Sequence, residues 1–330
     1  WILAQFGAEV IKVERPDVGD DARHWGPPFW HGAAAYFQAL NRDKRGVTVD
    51  FKNKQEVDRL KSLIIETGDV VLQNFRPGLV VELGISAAEI RCVNEKIIYC
   101  NIGAFGDAGP YKERRGYDPL MQASAGLMSV TGEGGDRPPV RVGTSIVDMG
   151  TGMWTAMGIM AAIRQRDASG TGCTIDASLY ETAIAWMTYH AAAFDASGDI
   201  PKAAGSGMNA IVPYQAYECN DGYLVVAAGG DSLFVRLSKV LGHPEWPKDP
   251  RFATNPDRVQ NRDAINNAIT EVMRTKNRAH WQEQLEAGGI PNAPILHMGE
   301  VLGHPQTEAL GIIQQDPAID DMRLVGLPMK

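Results

Sequence analysis

Four short β-rich runs constrain the first part of the chain: AEVIKVE (8–14), GVTVDF (46–51), DVVLQN (69–74) and KIIYCNI (96–102). Helical signals fall between them. Val57, Leu60, Leu63 and Ile64 recur at helical spacing, and Ser86 with Glu89 forms an S-x-x-E box that opens a short helix. Apolar strands alternating with helices predict a parallel sheet covered on both faces. A helix is expected over about 149–164, and GCTIDASL (172–179) reads as a strand passing into another helix. The fold class is therefore α/β.

A chain of 330 residues exceeds the usual single core, so two domains are expected. AFDASGDIPKAAGSGMN (193–209), rich in Ala, Gly, Ser and Asp, reads as a linker. YLVVAAGG (223–230) starts a second compact region, with helices expected near 231–241, 258–273 and 280–287. The pattern turns irregular from about 300. The expected division is a large domain at 1–192, a linker at 193–212, a smaller α+β domain at 213–299 and a returning segment at 300–330.

A net charge of −8 argues against a broad grip on nucleic acid but leaves room for a local basic pocket. Cys92, Cys100, Cys173 and Cys219 lack C-x-x-C spacing, and the seven histidines form no ligand pattern, so no metal is expected. Free thiols suit a reducing, cytoplasmic setting. No run reads as long enough to cross a bilayer, and no membrane association is expected. Trp1 opens the chain without Met and GLPMK closes it abruptly, so both ends are expected to be cut, and a lost targeting peptide leaves organelle targeting open.

Ligands of open parallel sheets bind beyond the carboxyl ends of strands. Glu14 and Arg15 follow one such end, Lys52 the next, and Asn74, Phe75 and Arg76 a third. Taken singly, Arg15 and Lys52 are solvated charges at loop tips. Taken together, these cations, an amide and an aromatic suit a phosphorylated nucleotide with a base to stack. A dinucleotide-dependent oxidoreductase is the rival, because Glu14 closing a strand resembles an acid that reads a ribose. However, no G-x-G-x-x-G opens a helix after a strand, and GDAGP (106–110) and GEGG (132–135) have the wrong spacing.

Asp148 is the only charged residue between Arg141 and Arg164. One reading is a helix N-cap that complements the helix dipole. The other is a covalent catalyst that attacks a carbonyl. Gly150 and Gly152 favour the second, because they leave the backbone bare beside the carboxylate at a cost in helix stability.

These segments together resemble the class III coenzyme A-transferase family. The resemblance is carried by GAEVIKVERP, GDDARHWGPPF, LNRDKRGVTVDF, QNFRPG, GYDPLMQASAGLMSVTG, PPVRVGTSIVDMGTGMW, GTGCTIDASLYE and VPYQAYECNDGYLVVAAG, in order along the chain. It implies that Asp148 in VDMGTG is the nucleophile, and that Arg15, Val49, Lys52, Asn74, Phe75, Arg76, Arg115 and Tyr117 contact coenzyme A. Asp118 would orient a substrate or cap a helix, and Gly150 with the helix-start amides would steady an oxyanion. Glu82 stands where formyl-CoA transferase has an arginine, which puts that contact in doubt. The family's glycine loop is represented at most by GSGMN (205–209).

The implied enzyme is an acyl-CoA:carboxylate CoA-transferase working through aspartyl anhydride and aspartyl-CoA thioester intermediates. It would bind acyl-CoA and a small carboxylic acid as substrates, with no tightly bound cofactor. GSGMNAIVPYQ resembles succinyl-CoA-using dicarboxylate transferases, which makes succinyl-CoA the expected donor. The implied architecture is a large Rossmann-like domain and a smaller α+β domain joined by long linkers, in a homodimer of two interlocked rings. Two alternatives share the scaffold: an α-methylacyl-CoA racemase-like or other CoA-binding enzyme, and a CoA-binding protein that has lost catalysis. The racemases carry a histidine in a GHD-like motif, whereas this chain has GYD with Tyr117 in that place. A tyrosine titrating near ~10 is a poor proton shuttle at neutral pH.

Overall fold

The computed structural model describes residues 1–317 and 319–329. The chain divides into two compact units. One contains residues 1–126, 143–188 and the chain from His304 on, and the other contains residues 127–142 and 189–303.

In the first unit, β1 (Val10–Glu14) pairs in parallel with β2 (Lys44–Thr48). A three-stranded parallel sheet follows, in the order β3 (Val70–Gln73), β4 (Ile98–Gly103), β5 (Thr174–Ser178). The two pieces share one core. Val13 of β1, Val49 and Phe51 after β2, Val71 of β3 and Tyr99 of β4 pack with Val57 and Leu60 of helix α1 (Lys54–Thr67) and Ile90 of α2 (Ala87–Arg91). The alternate residues of β4, Ile98 and Cys100, pack with Ile159 and Ala162 of a later helix, α4 (Ile146–Ser169). The period-two alternation along β4 thus feeds a different helical layer on each face, which is why the run carries no polar residue until Asn101. The predicted capping box of α2 is present, with Ser86 and Glu89 satisfying each other's backbone amides.

Helix α4 is 24 residues long, extending the helix expected at 149–164 at both ends. It stops at Gly170, whose φ of 79° is the left-handed conformation that favours glycine, and the Gly170 N–H closes the last turn on Arg166. By length and composition α4 could cross a bilayer, contrary to the expectation that no such run exists. In this fold one of its faces packs on the sheet, burying Val147, Thr155, Ala156, Ile159 and Ala162.

The second unit holds an antiparallel sheet in the order β8 (Asn292–Pro294), β7 (Gly222–Ala227), β6 (Tyr214–Cys219). Tyr217, Leu224 and Val226 point into a core shared with Phe234 and Leu237 of α7 (Asp231–Val240), Ile265 and Ile269 of α8 (Arg262–Met273), and Trp281 and Leu285 of α9 (Arg278–Ala287). The helix expected over 258–273 is two helices, 255–260 and α8, broken at Asn261. Arg258 is completely buried on the first of them. It donates to the carbonyls of Val212, Gly229 and Phe252 at 2.7, 2.8 and 3.0 Å and to Asp231 at 2.8 Å, which is why a buried cation is tolerated there.

The unit boundaries differ from those read in the sequence. Residues 127–142 group with the second unit, where the Gly205 N–H bonds the Gly132 carbonyl at 2.8 Å. The stretch 193–209 begins as helix α6 (Thr188–Ser197), in keeping with the helix preference of its alanines. The chain from His304 on joins the first unit through His31–Asp321 at 2.6 Å and Arg42–Gln314 at 3.1 Å.

Candidate active site

The start of α4 is organised by a carboxylate from another helix. Asp118 is the first residue of α3 (Asp118–Ser124), followed by Pro119, a residue suited to a helical first turn. Its side chain is 2% exposed. Oδ2 accepts the N–H of Val147 at 2.8 Å and that of Asp148 at 3.2 Å, while Oδ1 accepts Gln122 Nε2 at 2.6 Å. A buried charge is thereby matched by three donors and by the positive end of a helix dipole. Asp118 is the cap of α4, supplied from outside the helix, and Asp148 is not. The N-cap position belongs to Ser145, whose side chain makes no capping bond.

With its own amide held, Asp148 keeps an exposed side chain on the first turn of α4. Protein still surrounds enough of the carboxyl that desolvation, and then the like charge of Asp118, push its pKa up to about 6. The group reaches solvent, so the shift describes a partly shielded, more basic carboxylate.

Two expectations at this site need correction. Gly150 does not leave backbone bare for a ligand: it is buried, and a Cβ there would lie 2.7 Å from Trp186 Cζ2 on α5 (Leu179–Trp186). Close helix packing is its reason. Gly152, by contrast, does face open space. Nor are the first amides of α4 available to an oxyanion. Those of Val147 and Asp148 go to Asp118, and those of Ile146 and Met149 to the carbonyls of Thr144 and Ser145.

The predicted nucleotide contacts follow the carboxyl ends of successive strands. Glu14 and Thr48 are register partners, so Arg15 and Val49 leave β1 and β2 side by side, with the Val49 N–H bonded to the Glu14 carbonyl at 2.9 Å. Phe51 meets Phe75 edge-on at 5.4 Å between ring centres, which ties the loop after β2 to the loop after β3. Arg15 and Val49 are thus neighbours, and the loops that carry Lys52 and Asn74, Phe75 and Arg76 meet through Phe51 and Phe75. Val49 itself is buried in the core, so any ligand contact it makes is through its backbone. Arg15 pairs with Asp21 and Arg76 pairs bidentately with Glu82 at 2.9 and 2.6 Å, whereas Lys52 makes no ion pair among the described residues. Arg115 and Tyr117 are exposed in the loop between β4 and α3.

Glu14 is committed to a salt bridge within its own loop rather than presented to a ribose. Both carboxylate oxygens are bonded to Arg23, at 2.7 and 2.9 Å, and one also to the Asp20 amide. Arg23 holds the Glu14 carboxyl below the usual range, chiefly through that hydrogen bond. Together they shape an open recess of about 370 Å³ beside Arg15, at the strand ends and not at Asp148. Gln122 and Phe51 went unnoticed in the sequence. Gln122 stands four residues after Asp118, the spacing that stacks side chains on a helix, and that was the available signal.

The whole chain, residues 1–330, matches the model of CoA-transferase family III. This chain belongs to CoA-transferase family III. It is 38% identical over 314 residues to the succinyl-CoA:glutarate CoA-transferase of Mus musculus, covering 95% of this chain and 71% of that one. It is 34% identical to the acetyl-CoA:oxalate CoA-transferase of Acetobacter aceti, covering 94% and 80%. The crystal structure of a CAIB/BAIF family protein from Brucella suis superimposes with a TM-score of 0.88 at 38% identity, covering 99% of this chain and 86% of that one. The protein is therefore an enzyme, an acyl-CoA:carboxylate CoA-transferase, on a mixed α/β fold with a parallel sheet.

Proposed function

We propose that Asp148 is the covalent nucleophile of this transferase. The observation that carries the reading is a single exposed carboxylate on a helix turn whose backbone is fixed by a second, buried one. Asp148 attacks the thioester carbon of an acyl-CoA. The C–S bond breaks, CoA leaves as thiolate, and a mixed anhydride remains. The thiolate attacks the aspartyl carbonyl of the anhydride and expels the donor acid as its carboxylate, leaving an aspartyl-CoA thioester. An acceptor carboxylate runs both steps in reverse. A carboxylate of raised pKa is a better nucleophile and is still ionised at neutral pH.

Succinyl-CoA is the proposed donor and a dicarboxylate the proposed acceptor, supported by relatives such as the succinate–glutarate CoA-transferase of Agrobacterium fabrum at 35% identity. Arg15, Lys52, Asn74, Phe75, Arg76, Arg115 and Tyr117 would grip coenzyme A from the strand ends. The racemase reading is weaker, because Tyr117 stands where those enzymes carry a histidine.

The proposed assembly is the interlocked homodimer. On α4, Met149, Met153, Trp154, Met157 and Met160 form a stripe of side chains that are 41–51% exposed. A second copy laid on this face would remove them from water, which favours association. It would also screen Asp148, next to Met149, from water that hydrolyses the intermediates.

The test is thioester exchange. Wild-type enzyme should move CoA from succinyl-CoA to glutarate, and hydroxylamine should inactivate enzyme preincubated with succinyl-CoA by trapping the activated aspartyl group. Turnover retained in Asp148→Asn would end the covalent reading.

A further inference from the structure

The pairing of Asp118 with α4 does more than close a helix end. An ordinary cap satisfies amides with a side chain from the helix's own N-cap residue. Here the acceptor comes from α3, is itself held by Gln122, and grips the backbone of Asp148 directly. Rotation of the first turn of α4, and with it the direction of the Asp148 side chain, is therefore set by a residue with no route to substrate, since Asp118 is 2% exposed and Gln122 fully buried.

We propose that Asp118 is a positioning residue of the transfer reaction: its buried carboxylate, anchored by Gln122, fixes the backbone of Asp148 and acts on the nucleophile through its charge. This rests on the reading of Asp148 as nucleophile. Other charged groups near α4 are committed elsewhere. On α5, Glu181 accepts from Ser178 at 2.6 Å, and Tyr180 is the other titratable residue there. On β5, Asp176 accepts from Asn101 at 2.7 Å. Tyr99 and Cys100 of β4 are buried and held protonated, their pKa values pushed up to about 12. The short helix Ile2–Gln5 brings no charge, and Arg164, Arg166 and Asp167 lie at the far end of α4. Among the described residues, Asp118 is the charge that acts on the Asp148 carboxyl.

The charge has a chemical use. After desolvation, which contributes more, it makes Asp148 more basic, hence more nucleophilic towards a thioester, without placing a second carboxylate where the substrate binds. Since Asp118 also occupies the helix-start amides, these cannot pull charge off the nucleophile through free N–H donors.

The decisive variant is Asp118→Asn. Its amide oxygen can still accept the two N–H groups at the start of α4, so those bonds are kept and the charge removed. The measurement is kcat/KM against pH, wild type and variant with the same donor and acceptor, so that substrate titration cancels. The positioning role predicts an acid limb that moves to lower pH by about half a unit or more, with lower kcat at pH 8 and little change in KM for the acyl-CoA. Asp118→Glu covers the case in which Asp118→Asn does not fold. It keeps the charge but displaces it by one methylene, so kcat should fall while the acid limb stays near that of wild type. An unmoved limb in Asp118→Asn, or an unchanged kcat in Asp118→Glu, overturns the role of Asp118 alone. Turnover retained in Asp148→Asn overturns both this role and the nucleophile it serves.

Discussion

At the start of α4, Asp118 is buried and bonded to three donors, the helix amides are all engaged, and the Asp148 carboxylate is left outward. At the ends of β1, β2 and β3 the reverse holds. Arg15 and Arg76 lie at the surface beside Asp21 and Glu82, and Lys52 extends without a partner among the described residues. Exposed ion pairs of this kind are weak, so under the proposed function an incoming phosphate displaces their carboxylates at little cost. Removing a buried acceptor from its amides costs about 1–3 kcal/mol. Under the proposed function, the chemistry sits on a preorganised turn, whereas the grip on the substrate's far end is left to side chains that re-pair on binding.

The largest expected effect is at the preorganised end. Asp148→Ala should lower turnover by about a thousandfold or more, because the two steps of the exchange have no other carboxylate to run through. CoA affinity, measured by calorimetry, should be unchanged. If affinity fell with turnover, the division between the two regions would be wrong.

Next comes the packing that holds the turn. Gly150→Ala places a methyl against Trp186 and Thr182, where the nearest atoms are 2.7 and 3.1 Å from the new Cβ. Overpacking of a tight helix contact costs about 1–3 kcal/mol, read as a lower midpoint in denaturant. Gly152→Ala meets open space, and replacing Gly by Ala in a helix interior gains about 0.5–1 kcal/mol, so it should be neutral or stabilising. Equal effects at the two glycines would show that α4 packs differently.

That contrast also marks how far the sequence could be read. The alternation of short apolar runs with helical spacing was enough for a parallel α/β sheet, and the strand ends carried their cations in plain view. The reason for Gly150 was not visible, because the ring that fills its space is Trp186, thirty-six residues on, brought alongside only when α4 and α5 pack. The capping of α4 by Asp118 was hidden for the same reason: a local motif search expects the cap within the helix's own entry, and Asp148 looked like the better candidate. Arg76 and Glu82 lie six residues apart across a turn, a spacing with no helical or strand period to announce the pair. Tertiary neighbours, not local pattern, decided each of these.

Substitutions at the strand ends come third. Arg15→Ala and Lys52→Ala should each weaken CoA binding by about 1–3 kcal/mol, the scale of a charge-assisted hydrogen bond, with the acceptor's KM little affected. Glu82→Gln sharpens the test from the other side. It frees Arg76 from its partner, so CoA should bind more tightly if Arg76 holds a phosphate and no differently if it does not.

The smallest effect is on stability, and it joins the two properties of the preorganised end. The Asp148 carboxyl titrates at about 6 in the folded chain against an ordinary 3.8, so the folded state binds its proton more tightly than the unfolded state does. Above pH ~6 both states are ionised, and the native state carries an unfavourable charge beside Asp118. As pH falls from about 6 to about 4 the native state takes up a proton that the unfolded state does not, and the penalty disappears. Asp148→Asn removes it at every pH. The variant should therefore melt above wild type at pH 8, by a few degrees at most because the group is open to solvent, and the gap should close towards pH 4. A gap that widened on acidification would mean that Asp148 is stabilised as the anion, by the helix dipole or by a partner, and that its basicity is not what the start of α4 is built to supply.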